Sequence, residues 1–356
     1  MKRQFDGLRF FAFLMVFGVH SHSFKWVDVN YFVSGGWAVM FFFCLSGFMI
    51  GFGDRGAPFS WRGTLTYLWR KVVRFYPLLF IAIVASTKFW RGIRCLLGGG
   101  DPRPEIWECY PIRHLLLVHA WSPNGVFEFN AVCWFLSTLM FLYLVSRLVL
   151  PVLRRMRTRG LLLVGAVMLG LLLGWCLTAD GCGLERRYWT VMFPPAKVPE
   201  FILAVALGLV CARHADRLSR AFAGFGRCAA IEAVLVVVAV LMCQCVPDTT
   251  PFVFAWVAFN AVFFVFFTFS EGPLARFTGS RALCWLGGVS MPMFLLHCGV
   301  LNFVVGRLTA RGLMPETGAS RFGWWLACLL LSLAAALAYQ FAEKAVRAWM
   351  GRRRHV

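Results

Sequence analysis

Within the apolar stretch GLRFFAFLMVFGVHSHSF, residues 7 to 24, stand one arginine and two histidines, Arg9, His20 and His22. A guanidinium is a permanent cation that grips carboxylate or phosphate oxygens two at a time, and an imidazole takes or gives a proton near neutral pH. Arg9 and His20 lie eleven residues apart, which on an α-helix is three turns plus about 20°, so they share one face about 16 Å apart along the axis. His22, two positions further, falls on nearly the opposite face, and His20 is therefore the favoured reactive group. A second pair, Ser290 and His297, is seven residues apart and again shares a helical face. Arg70, Lys71 and Arg74 form a cationic turn, and His114 and His119 flank a short apolar piece, HLLLVHAW.

The elements that hold these groups follow from the composition. The chain of 356 residues is 60% hydrophobic and only 15% charged, outside the range of soluble domains. Apolar runs at roughly 9–25, 31–53, 75–90, 131–150, 160–177, 199–212, 228–246, 252–270, 283–305 and 323–342 have the length of membrane helices and lack the alternation of a transmembrane barrel. The expected fold is an all-α, polytopic integral membrane protein of about ten transmembrane helices, forming a single domain over 1–356. The first run resembles a secretory signal in outline, but Asp6 and Arg9 interrupt it and no small-residue cleavage pattern follows, so it is read as a retained helix. No appended soluble domain is expected.

The net charge of +20 does not point to nucleic acid, because the cations form short clusters between apolar runs. With the amino terminus inside, 23 of the 36 Lys and Arg fall on the inner side and 12 outside, which predicts both termini cytoplasmic. A bacterial cytoplasmic membrane is the expected location. The thirteen cysteines sit largely in apolar runs, where Cys acts as a small hydrophobe, and no metal site is expected. Cys95 with Cys109, or Cys176 with Cys182, are candidate disulfides if their loops face an oxidising compartment.

The Arg9-x10-His20 spacing resembles the first-helix signature of the membrane acyltransferase-3 family. Later segments continue the likeness in order: Phe42-Phe43-Cys44-Leu45-Ser46-Gly47-Phe48; Arg70 through Pro77; Trp134-Phe135-Leu136-Ser137 with Tyr143; Pro199-Glu200-Phe201; Leu286-Gly287-Gly288-Val289-Ser290 running to His297; and Tyr339 to Lys344. The chain departs from the family's pattern at Leu139, which holds an acidic place, and at Met291 and Phe294, which replace tyrosines. The likeness covers the whole chain through motifs that are each degenerate.

The resemblance implies transfer of an acyl group, acetyl first, from a cytoplasmic acyl-CoA to a hydroxyl of a cell-surface or lipid-linked carbohydrate. The coenzyme is then a donor substrate, with no cofactor bound permanently, and lipid surrounds the chain. His20 fits a general base or a transient acyl carrier, with Arg9 and His297 beside it. Arg9 can order a carboxylate or water, or meet the donor. Arg70, Lys71 and Arg74 suit the donor's phosphates or serve as ordinary inside-positive anchors. His119, Trp134 and Ser290 are acceptor-site candidates, with packing roles open for Trp134 and a bond to its own backbone carbonyl open for Ser290. The alternatives are a transporter of a polar or anionic metabolite, or a relay that passes acyl groups to a separate transferase.

Overall fold

The computed structural model describes residues 3–25, 35–86, 89–90, 112–183, 185, 187–245 and 250–353. All of their regular structure is helical. The longer elements are α1 (Arg3–His20), α2 (Gly35–Phe52), α3 (Trp61–Val84), α4 (Trp134–Arg155), α5 (Thr158–Gly181), α6 (Val198–Arg213), the short α7 (Ala215–Ala221), α8 (Phe225–Cys245), α9 (Thr250–Phe267), the short α10 (Pro273–Thr278), α11 (Arg281–Ala310) and α12 (Gly318–Arg353). Each of the ten apolar runs meets one of these helices, and six helical stretches, in α4, α5, α6, α8, α11 and α12, are long and apolar enough to cross a bilayer on those grounds alone. The chain is an all-α, multi-pass membrane protein. Exposed Val234, Val237 and Leu241 on α8 are where lipid, not water, must be the solvent.

Lipid tails are as apolar as leucine, so these helices associate through close packing and hydrogen bonds. Glycines set the two tightest seams. On α2 and α6, a methyl group at Gly47, Gly51 or Gly208 would strike the carbonyl of Phe201, Val205 or Phe48 respectively. On α1 and α11, a methyl at Gly287 would sit on the Asp6 carbonyl, while the Gly7 face meets the Thr278 carbonyl at the end of α10. Around the seams the Phe5 ring lies 5.7 Å from that of Phe264 and 5.8 Å from that of Phe267, edge contacts each worth about 1 kcal/mol beyond simple burial.

Proline placement also has local compensation. Pro292 inside α11 has no N–H to offer the Gly288 carbonyl four residues earlier. Gln340 on α12 donates to that oxygen instead, at 3.3 Å. Freed backbone groups at membrane depth are tolerated where a neighbouring helix supplies such a partner.

Two expectations need correction. The sequence places the start of the third span at residue 75, after the cationic turn at Arg70, Lys71 and Arg74, yet α3 is one helix from Trp61 to Val84. Ser60 caps it by accepting from the Gly63 N–H at 3.0 Å, and Trp61, Leu65, Trp69 and Val73 recur every fourth residue as an exposed apolar stripe. That one-sided pattern suits a helix half in the headgroup layer. The second correction concerns cysteine: Cys176 and Cys182 are both free thiols, because Cys176 is buried within α5 while Cys182 is exposed beyond its end. Cys95 and Cys109 lie outside the described residues.

Candidate active site

The close α1–α11 crossing brings His20 and His297 together. Their ring centroids are 5.2 Å apart at 63°. His20 is the last residue of α1 and part-exposed, while His297 is fully buried in the middle of α11. Phe13 and Phe17, two turns and one turn before His20, close the apolar side, their rings 5.7 and 5.9 Å from that of His297. His22 falls in the 3-10 turn after α1 and is exposed.

His297 has a defined hydrogen-bond orientation. Its Nδ1 lies 2.7 Å from the Phe294 carbonyl, and because a carbonyl only accepts, Nδ1 carries the proton and the neutral ring presents the Nε2 lone pair. Facing that lone pair at 3.4 Å is Cys298 Sγ. The donor atoms of His20, His297 and Cys298 all lie within 4.8 Å of one another, close enough to hold one metal ion, a grouping the sequence reading did not foresee.

Arg9 lies three turns along α1. Its Nη1 is 2.7 Å from Asp6 Oδ1, and the two side chains are 28% and 21% exposed, so the carboxylate it orders comes from its own helix. Arg9 is nevertheless part of a wider cationic group. The buried Tyr143 phenol lies within electrostatic reach of both Arg9 and Arg74, and Lys71 Nζ sits 4.3 Å over the Tyr143 ring and 5.2 Å over that of Tyr67. Arg147 on α4 stands 5.6 Å from the Tyr67 ring. Arg70 and Arg74 are exposed where Lys71 turns inward. The three α3 cations thus divide between an outward pair and a lysine held on two tyrosines, a division hidden by starting the span at residue 75. Tyr67 was not foreseen for the same reason.

The other site residues separate by role. Ser290 donates to the Gly287 carbonyl at 2.7 Å, which occupies its hydroxyl within α11. Trp134 begins α4 and packs 6.3 Å from the Phe43 ring. Leu139, in the family's acidic place, is buried in the core. His119 stacks on His114 at 3.9 Å between centroids, both buried, in a segment with left-handed backbone at Leu117 (φ 55°) and Phe129 (φ 60°). That segment is pinned to the bundle: Ser137 donates to the Leu117 carbonyl at 2.5 Å, Tyr188 to the Ala120 carbonyl at 3.1 Å, and Asn130 to the Leu295 carbonyl at 2.8 Å. The last bond anchors it to α11 two residues from His297. Burial, with His114 beside it, lowers the His119 pKa from 6.5 to about 3, so His119 stays neutral at ordinary pH.

A further polar group lies at the start of α6. Lys197 Nζ and Glu200 Oε2 are 3.1 Å apart, with both side chains fully buried. Sequence reading noted Glu200 only within a motif and counted Lys197 among outer-side cations.

Facing imidazoles on two crossing helices, inside a multi-pass bundle with Arg9 three turns away along α1, are an arrangement chemically able to move protons. The chain matches a family model, Acyltransferase domain, over residues 2–341, and it belongs to the acyltransferase-3 family. It is similar to the acyltransferase MdmB of Streptomyces mycarofaciens, 26% identical over 228 residues. That alignment covers 57% of this chain and 56% of MdmB, so it spans little more than half the length of either. No solved structure matches the chain.

Proposed function

We propose that this chain is an acyltransferase that takes an acyl group, acetyl first, from an acyl-CoA on the cytoplasmic side of a bacterial inner membrane and places it on a hydroxyl of a cell-surface or lipid-linked carbohydrate. The observation that carries this reading is the His20–His297 pair, 5.2 Å between rings, at the end of a helix that bears Arg9 three turns earlier. Removing the acceptor proton as its oxygen attacks a thioester carbonyl requires a neutral imidazole within hydrogen-bond reach. His20 is the part-exposed member and so the one an acceptor can approach. Arg9, Arg70, Lys71 and Arg74 meet the donor's phosphates and adenosine end, where guanidiniums bind oxygen pairs.

His297 supports His20 from the buried side. A carbohydrate hydroxyl then enters from the face that carries the His114–His119 segment, which is fastened to α11 beside the histidines.

The test uses the full chain in proteoliposomes supplied with acetyl-CoA carrying labelled acetyl and a panel of lipid-linked and polymeric sugars. Ester formation on one of them is expected, with His20→Ala reducing it about 100-fold or more, the range for loss of a positioned acid–base group. Unimpaired transfer by a folded His20→Ala protein refutes the assignment. Movement of intact solute across the bilayer without ester formation would refute the transfer reading itself.

A further inference from the structure

We infer that Cys298 is a covalent way-station, accepting the acyl group as a thioester before it passes to the acceptor hydroxyl. The inference rests on reading the His20–His297 pair as the reaction centre and adds a nucleophile to it.

A cysteine in an apolar helix is ordinarily a small hydrophobe. Cys298 differs in what faces it. Its Sγ lies 3.4 Å from His297 Nε2, the nitrogen left unprotonated when Nδ1 donates to the Phe294 carbonyl at 2.7 Å. A nucleophile, a base within reach of it and a third group orienting the base are the parts from which thiol catalysis is built. Residues adjacent on a helix diverge by about 100°, so their approach depends on the imidazole turning back over its own preceding turn, where the Phe294 carbonyl holds it.

The second histidine then has a separate task. Donor and acceptor are both bulky, while His297 is fully buried and Cys298 only 6% exposed. A centre this closed is better suited to meeting them in turn than together. With two histidines and one thiol within 4.8 Å, each half-reaction has its own base. His297 serves the thiol and His20 serves the hydroxyl.

The chemistry balances. Cys298 gives its proton to His297 Nε2 as the thiolate attacks the donor carbonyl; the carbon–sulfur bond to the coenzyme breaks, and the departing thiolate takes that proton. Thioester exchanges for thioester, so little free energy is lost. The acceptor hydroxyl next gives its proton to His20 as its oxygen attacks the Cys298 thioester. The second carbon–sulfur bond breaks and the cysteine thiolate recovers the proton from His20. The sum is thioester plus alcohol giving ester plus coenzyme thiol.

The experiment is acceptor-free labelling of the full-length protein in lipid nanodiscs with acetyl-CoA labelled in the acetyl group, quenched in acid and mapped by peptide mass spectrometry. The expected label is on the peptide containing Cys298, is released by neutral hydroxylamine, and is absent from Cys298→Ala. Cys298→Ala should also lower transfer to acceptor about 100-fold or more. Cys298→Ser keeps the size and guards against misfolding; it should trap an oxygen ester that resists neutral hydroxylamine.

Full transfer by Cys298→Ala with His20→Ala inactive would remove the thioester step and leave the histidine reading standing. Full transfer by both variants would remove both. Label on an imidazole, or no label on a wild-type protein that transfers normally, overturns the way-station. So does stoichiometric zinc in the wild type that is lost with either His20→Ala or Cys298→Ala, because a metal there would occupy the lone pairs that the proton transfers require.

Discussion

Gly287 and Gly288 are neighbours on α11 that should respond oppositely to the same substitution. A methyl on Gly287 points at the Asp6 carbonyl of α1, far inside the closest approach that real side chains make, whereas a methyl on Gly288 meets nothing within 4 Å. Gly287→Ala therefore requires α1 and α11 to separate by at least about 1 Å, at an overpacking cost of about 1–3 kcal/mol. Gly288→Ala strains nothing and gains up to about 1 kcal/mol of helix propensity. The same crossing holds His20 5.2 Å from His297, and Asp6 in turn holds Arg9 at 2.7 Å. A displacement of about 1 Å among reacting groups can cost about 100-fold in rate. Transfer rates and unfolding temperatures of both variants in nanodiscs should show Gly287→Ala slowed about 100-fold and less stable, with Gly288→Ala at least as stable as wild type and fully active. Equal activity in the two variants would refute the claim that this seam sets the histidine spacing.

Lys197→Met should destabilise the protein by about 3–5 kcal/mol, since it strands the fully buried Glu200 carboxylate, and adding Glu200→Gln should recover much of that loss; a double-mutant cycle by chemical unfolding in micelles checks it, and simple additivity would contradict the pairing. His119 titrates near pH 3 in the fold but near 6.5 when unfolded, so below about pH 6.5 the unfolded chain binds the proton that the fold refuses, and stability falls as pH drops from there toward 3. His119→Phe should flatten that part of the stability–pH curve, as thermal scans between pH 7 and pH 4 would reveal.

The helices were legible because an apolar run of membrane length has few other fates, and the common face of Arg9 and His20 followed from helical period alone. Their partners were less so. That His20 meets His297 depends on where α1 crosses α11, and the residues that fix the crossing, Gly287 and Asp6, carry no mark of it in sequence. Cys298 stayed hidden because a thiol in an apolar run looks like packing until an imidazole is found beside it. The inward turn of Lys71, and Tyr67 beneath it, were obscured by starting the third span after the charges, whereas a capping serine and an apolar stripe at helical spacing outweigh four cations in α3. Lys197 was likewise read by its charge as an outer-side residue, yet a carboxylate three positions on takes it into the interior.

That stripe gives the surrounding lipid a part in the chemistry. Trp61, Leu65 and Trp69 lie on the same continuous rod as Arg70 and Arg74, so whatever depth the indoles find at the headgroup boundary is transmitted to the cations without a joint to absorb the difference. The histidines ride on other helices. For the proposed acyl-CoA donor, the reach demanded of its pantetheine arm is thereby set partly by the thickness of the host bilayer, a dimension of the site that the sequence does not encode.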